Sequence, residues 1–206
     1  MEKKTLARKK GFSLVELLIA LVMGSLLVAA SYRTLIGQHK TYTVQDEVAE
    51  AQQTVRAAMD TIVRYVRIAG YDPLGTGHFG FQSAATNSRS TGPHSIAFTA
   101  DHYIENGTVD NDDREQIGFR LNNSTLEKYT TGAAHWEPAA DNIEDLSFLY
   151  TLDDGTTTGS PADPTRIRMV KITITARTSV PDRQLSGDGY RRRQLESFVS
   201  VRNLGL

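Results

Sequence analysis

The 206-residue sequence contains no cysteine. This absence excludes disulfide bonds, thiolate metal sites, a cysteine nucleophile and a cysteine-linked lipid. It leaves the compartment open, because a sufficiently large core needs no disulfide even in an oxidising space. The formal net charge is only −1, which excludes a broadly basic nucleic-acid-binding protein, and we expect no specific nucleic-acid partner. With 39% hydrophobic and 23% charged residues, most of the chain has the composition of a folded protein.

Sequence motifs of the common enzyme classes are also missing. There is no P-loop, no G-x-S-x-G nucleophile elbow and no dinucleotide-binding fingerprint. The histidines are scattered along the chain with no i, i+4 pair that would favour a metal site: His39, His78, His94, His102 and His135. Adjacent carboxylates such as Asp153-Asp154 fall in predicted loops without a nearby base. We therefore predict that the chain is not an enzyme.

Charge and hydrophobicity are distributed unevenly at the N-terminus. Residues 1–11 hold five basic side chains and one acid, and residues 12–32 form an apolar run with a single charge. A helix of 21 residues covers about 31 Å, the thickness of the hydrocarbon core of a bilayer. Because the basic residues flank the run on one side only, they place residues 1–11 in the cytoplasm and the remainder outside it. The alternative is a secretory signal peptide cleaved within residues 27–31.

The single charge of the apolar run, Glu16, argues against a signal peptide. Placing a carboxylate inside a membrane helix costs about 2.5–3.5 kcal/mol of free energy. A signal peptide gains nothing that would offset this cost. A cut between Gly11 and Phe12 would create a cationic α-amine about one helical turn from Glu16. That amine could pair with Glu16 of the same chain or of a neighbouring copy, whereas the alternative is a glutamic acid that stays protonated in lipid.

The segment KKGFSLVELLIAL resembles the class III leader and cleavage motif of type IV prepilins and type II secretion pseudopilins. The resemblance implies cleavage after Gly11 by the prepilin peptidase, N-methylation of Phe12, and a role for Glu16 in neutralising the N-terminus of a neighbouring pilin during assembly. The segments RYVRIAGYDP, VKITITART and FVSVRNL look like parts of PilW-like minor pilins. J-type pseudopilins share much of this layout.

After Arg33 an apolar stripe at helical spacing predicts the second part of one long helix, Phe12 to Ala69, formed by Val44, Val48, Ala51, Val55, Ala58, Ile62 and Val66. No proline occurs between Phe12 and Asp72, and Gly70 suits the position just after the helix. The alternative is two helices broken near Gly37.

Beyond Pro73 the pattern becomes typical of β-structure. We predict strands at Ser95–Ala100, Gln116–Leu121, Thr125–Thr130, Ile143–Leu152, Met169–Arg177 and Ser197–Leu204, with long loops at 74–95 and 153–165. One helix followed only by antiparallel strands is an α+β protein, and the resemblance implies the type IV pilin fold. The predicted parts are a basic leader (1–11), a membrane-spanning and filament-core helix half (12–32), an amphipathic helix half (33–70) and a periplasmic β-rich head (71–206).

Two charged segments of the head suggest further sites. The acidic loop between Asp101 and Glu115 offers oxygen ligands for Ca²⁺ at Asp101, Asn106, Asp110, Asp112 and Asp113, although the spacing is not that of an EF-hand and a solvated turn is the alternative. The run Arg191-Arg192-Arg193 is typical of a solvated sheet edge that discourages pairing with other sheets. Contact with phosphate or with an acidic partner pilin is the alternative.

The resemblance implies a minor pilin that primes or caps a type IV pilus. Its partners would be other minor and major pilins, the prepilin peptidase and N-methyltransferase, the inner-membrane assembly platform and membrane lipid. The precursor would lie in the inner membrane and the mature chain in the pilus. One alternative is a J-type pseudopilin of type II secretion. Another, from a different class, is a membrane-anchored binding or adhesion module that does not polymerise.

Overall fold

The computed structural model describes residues 11–83, 89–110, 115–130, 135–182 and 184–204. A single helix, α1, spans Leu14–Val66 and continues through Gly24 and Gly37. The predicted long helix is therefore confirmed, and the alternative break near Gly37 does not occur. The chain divides into two compact units, Met1–Gln45 and Asp46–Leu206, so the boundary falls within the residues of α1.

The C-terminal end of α1 is set by Gly70. The α-helix ends at Val66, three residues before the predicted end, and residues 67–69 continue in tighter turns such as Ala69 N–H to Val66 C=O at 3.1 Å. Gly70 has φ +73°, and a Cβ there would lie 2.5 Å from Leu204 Cδ2. Any other residue at this position would have a strained backbone, and its side chain would clash with Leu204. Glycine avoids both problems.

The β-strands form two antiparallel sheets. In the first sheet, β1 (Ser95–Thr99), β2 (Gln116–Asn122), β3 (Thr125–Thr130) and β4 (His135–Ala140) pair in the order β1-β2-β3-β4. In the second, β5 (Ile143–Leu152), β6 (Thr157–Thr158), β7 (Ile167–Arg177) and β8 (Arg192–Ser200) pair in the order β6-β5-β7-β8. One helix followed by antiparallel sheets confirms the α+β prediction.

The predicted hairpin between β2 and β3 is confirmed, with a tight two-residue turn. Asn123 and Ser124 both have positive φ, 47° and 66°, as a type I′ turn requires. The backbone twist of a type I′ turn matches the twist of the flanking strands. The turn therefore keeps Asn122 paired with Thr125. The strand therefore extends one residue further than predicted.

Three strand predictions need correction. β4 was not predicted, because its residues are mostly exposed and Pro138 is tolerated only at a sheet edge. β6 is a two-residue strand inside the predicted loop 153–165. The last strand is Arg192–Ser200 rather than Ser197–Leu204, because the backbone ladder to β7 pairs Arg192 with Arg177 regardless of side-chain charge.

The core of the second unit joins the C-terminal part of α1 to both sheets. The predicted stripe is buried at Ala51, Val55, Ala58, Ile62 and Val66, and Met59 joins it. All of these helical residues except Ala51 share one apolar cluster with Phe98 and Phe119 of the first sheet and with Ile172 of the second. The alternation predicted along β7 is also confirmed, because the burial pattern of the strand alternates from Val170 to Arg177.

Tyr150 links the second sheet to the segment before β1. Its buried hydroxyl donates to the Gly92 carbonyl at 2.9 Å, with the Ser95 carbonyl at 3.2 Å. Burial raises the pKa of Tyr150 far above its ordinary value, so the hydroxyl remains a donor at any relevant pH. A polar atom is thereby buried without losing its hydrogen bonds.

We predict that Ile62→Ala lowers the free energy of unfolding by about 2–5 kcal/mol, since it leaves a cavity where α1 packs on the sheets. Urea denaturation of the full-length chain in nonionic detergent measures this loss. Asp60→Ala, an exposed position on the same helix, serves as the control and should change stability by no more than about 0.5 kcal/mol. Equal losses in both variants would contradict the packing described here.

Candidate functional site

The N-terminal end of α1 begins with a cap at Ser13. The Ser13 hydroxyl accepts from the Val15 N–H at 3.2 Å, and its carbonyl accepts from the Leu17 N–H at 3.1 Å. Gly11 and Phe12 precede the helix, and the Phe12 side chain is 85% exposed. No heavy atom lies within 4 Å of a Cβ built on Gly11. The peptide bond between Gly11 and Phe12 is therefore in an open, non-helical segment.

Glu16 occupies the first turn of α1, three residues after the cap. The spacing Ser13-x-x-Glu16 is that of a capping box, in which the glutamate would accept from the N–H of the capping residue. The structure shows no such bond. Within the described segment 11–31, Glu16 has no hydrogen-bond or ion-pair partner, whereas the hydroxyls of Ser25 and Ser31 donate to the Val22 and Leu27 carbonyls. The positive end of the helix dipole favours an anion at this position.

The surface around Glu16 is apolar on all sides of the helix. Large apolar side chains are exposed from Phe12 to Ile36, including Leu14 at 73%, Leu17 at 64% and Leu27 at 70%. By length and composition α1 is able to cross a membrane, and none of its most apolar stretch is buried in the protein. This surface needs an apolar environment, such as lipid or other helices of the same kind.

Ser13 also shapes this site, although it is not among the residues predicted from the sequence. Its hydroxyl fixes the start of α1, and this start places Glu16 in the first turn rather than in the helix interior. The signal that could have found it is the spacing of a serine three residues before a glutamate at the start of an apolar run.

The described calcium ligands predicted for the acidic loop lie in two separate places. Asp101 is fully buried, and its Oδ2 accepts from the Gly107 N–H at 2.9 Å. Asn106 Nδ2 donates to Asp110 Oδ2 at 2.5 Å, so these two side chains bind each other. Asp112 and Asp113 lie outside the described residues. Within the described part of the chain, no group of three or more His, Cys, Asp or Glu side chains is placed to hold a metal ion.

The three arginines lie at the edge of the second sheet, and two of them bind acids of the same chain. Arg191 Nη2 donates to Asp182 Oδ2 at 2.9 Å, and Arg192 contacts both Glu144 and Asp188. The hydrogen bond from Arg192 lowers the pKa of Glu144 and lowers that of Asp188 to about 2. β8 is an edge strand, so this arrangement fits the predicted solvated edge.

Comparison with known proteins identifies the class and then the family. Residues 6–32 match the prokaryotic N-terminal methylation motif, which together with the family below makes the chain a type IV pilin-like protein. Residues 45–201 match prepilin peptidase-dependent protein B, and the chain belongs to this family. The resemblance to type IV prepilins is thereby confirmed, and proteins of this class are structural and non-enzymatic.

A solved structure described as a type IV-like pilin from Thermus thermophilus is also similar. The two chains share 13% sequence identity with a TM-score of 0.47, and the match covers 79% of this chain and 98% of that chain. A comparison with individually curated proteins gives no match.

We predict that Asp188→Asn flattens the acid dependence of stability. In the folded chain Arg192 lowers the pKa of Asp188 from 3.8 to about 2, so the stabilisation is complete above about pH 4 and is lost as the pH falls through about 2. Urea denaturation of the full-length chain between pH 5 and pH 2 measures this dependence. Arg192→Gln should flatten the profile in the same way, and profiles identical to that of the unmodified chain would contradict the assigned ion pair.

Proposed function

We propose that this chain is a minor pilin that primes or caps a type IV pilus after processing by the prepilin peptidase. The observation that carries the proposal is the Glu16 carboxylate, which has no partner in segment 11–31 although it lies in the first turn of an exposed apolar helix. The family to which the chain belongs is named for dependence on that peptidase, and the methylation motif covers residues 6–32.

Processing would begin while the precursor spans the inner membrane. The basic residues of segment 1–11 favour a cytoplasmic N-terminus with the β-rich head in the periplasm. Hydrolysis of the peptide bond between Gly11 and Phe12 adds water, leaving a carboxylate on Gly11 and an amine on Phe12 that is protonated at neutral pH. The open segment before α1 favours access to that bond, and a methyl donor would then transfer one methyl group to the Phe12 nitrogen, which loses a proton.

The new ammonium group would supply the cation that Glu16 lacks. A positive charge is unfavourable at the N-terminal end of its own helix, whereas Glu16 of a neighbouring copy offers an opposite charge in the same apolar layer. At about 4 Å and an effective dielectric constant near 20, the attraction amounts to roughly 4 kcal/mol before desolvation is subtracted. The pairing would therefore select the register between subunits, and burial of the apolar helices would supply the rest of the assembly energy.

After release from the membrane, the apolar half of α1 would remain buried in the filament. The same exposed side chains that suit lipid suit contact with identical or related helices. We propose that segment 12–32 serves as both membrane anchor and filament core, segment 33–70 as its amphipathic continuation, and residues 71–206 as the head.

We predict that Gly11→Val blocks processing. A branched side chain at the residue before the cut would interfere with the peptidase, whereas no heavy atom lies within 4 Å of a Cβ built on Gly11, so the change itself causes no clash. Mass spectrometry of the chain from the producing organism measures the result. The unmodified chain should begin at Phe12 and carry one additional methyl group, and Gly11→Val should retain residues 1–11. A product that begins at Met1 in both would contradict processing at this bond.

We also predict that Glu16→Ala is processed and inserted in the membrane but is absent from purified pili, with piliation reduced at least tenfold in a strain that depends on the variant. Ser25→Ala, another change in the apolar run, is the control and should assemble normally, because its hydroxyl is already satisfied within the helix. Electron microscopy and immunoblots of sheared pili provide the measurement.

The same strains distinguish the other functions. Normal piliation with a loss of protein secretion would instead support a J-type pseudopilin. If Glu16→Ala leaves both piliation and secretion unchanged, the chain is a membrane-anchored module that does not polymerise, and the proposal is wrong.

A further inference from the structure

Two fully buried carboxylates lie side by side at the end of the β1–β2 pair. Thr99 pairs with Gln116, and the Ala100 N–H donates to the Glu115 carbonyl at 3.0 Å, which continues the ladder by one residue. Asp101 follows immediately. Asp101 and Glu115 are both 0% exposed. The ends of the two strands thus bring two acids together in a region from which water is excluded.

Each carboxylate uses one oxygen to hold the loop that follows β1. Asp101 Oδ2 accepts from the Gly107 N–H at 2.9 Å, and Glu115 Oε2 accepts from the Asp110 N–H at 3.0 Å. The remaining oxygens, Asp101 Oδ1 and Glu115 Oε1, are buried and have no hydrogen-bond partner. Both carboxylates are therefore directed at the same loop, 101–110, and each presents one unsatisfied oxygen.

Two neighbouring acids act on Glu115. Burial raises the pKa of Glu115, and the negative charges of Asp101 and Asp110 raise it further. Among the described residues, no lysine, arginine or histidine forms an ion pair with Asp101 or Glu115. Buried carboxylate oxygens are normally paired with a donor or bound to a metal ion.

We propose that Asp101 and Glu115 bind one calcium ion through Asp101 Oδ1 and Glu115 Oε1. Calcium takes six to eight oxygen ligands in irregular geometry and accepts backbone carbonyls beside carboxylates. Magnesium loses its bound water reluctantly and usually keeps several water ligands, so a fully buried pair of carboxylates suits it less well. The ion would neutralise the two acids and fasten loop 101–110 to the ends of β1 and β2. This proposal is independent of the assembly role of Glu16.

Calcium titration of the full-length chain in nonionic detergent, after treatment with a chelator, tests the proposal. We expect saturable binding of one ion per chain, with a dissociation constant of about 10⁻⁴–10⁻³ M by analogy with extracellular calcium modules. At fifty times that concentration, calcium should lower the unfolding equilibrium constant by about fifty-fold, whereas magnesium should have little effect. Isothermal titration calorimetry and thermal unfolding give the two readouts.

Four variants assign the ligands. Asp101→Asn and Glu115→Gln should each abolish the calcium-induced shift in unfolding temperature. Asp60→Asn and Glu50→Gln, the same changes at exposed positions of α1, should retain it in full. If Asp101→Asn does not fold, the isosteric Glu115→Gln and the titration of the unmodified chain still decide the question.

Three results would overturn the proposal. One is an unmodified chain that shows neither saturable heat nor a calcium-dependent shift, which would mean that a proton on Glu115 neutralises the pair. Another is an equal response to magnesium and calcium. The third is loss of the shift in the Asp60→Asn and Glu50→Gln controls to the same extent, which would indicate general screening of negative charge.

Discussion

Burial of one helical stripe against two sheets is the constraint on which the folded head depends. From Val55 to Val66 the inward-facing residues of α1 join a single apolar cluster with side chains of both sheets. The ring of Tyr65, on the same helix, lies 5.9 Å from that of Phe119 in the first sheet. The helix and the two sheets therefore share one apolar core.

Polar contacts at the margins of this core hold the loops in place. Glu47 of α1 accepts from the backbone N–H and hydroxyl of Ser179, at 3.1 and 2.7 Å, in the loop between β7 and β8. The same loop is bound at its other end by Arg192 and Asp188. Asp182 and Asp188 of this loop therefore both have an arginine partner within the chain.

Carboxylates with no cationic partner among the described residues occur at two quite different places in the protein. Glu16 lies in an exposed apolar helix, and Asp101 and Glu115 lie in a closed end of the first sheet. In both cases the unfavourable energy of an uncompensated charge in an apolar environment points to a cation that the described residues do not supply. The proposed cations differ accordingly, an α-amine of a neighbouring subunit for Glu16 and a calcium ion for the pair in the head.

Local patterns in the sequence determined the N-terminal motif, the long helix with its buried stripe, and the alternating strands β5 and β7. Composition and periodicity are properties of neighbouring residues, so they can be read without knowing what a segment contacts. Only the tertiary structure decided that β4 exists, that β8 begins at Arg192, and that Asp101 and Glu115 lie together. The physical reason is that ladder pairing at a sheet edge and the burial of a charge depend on segments far apart in sequence, and an exposed strand or a buried acid leaves no periodic pattern of its own.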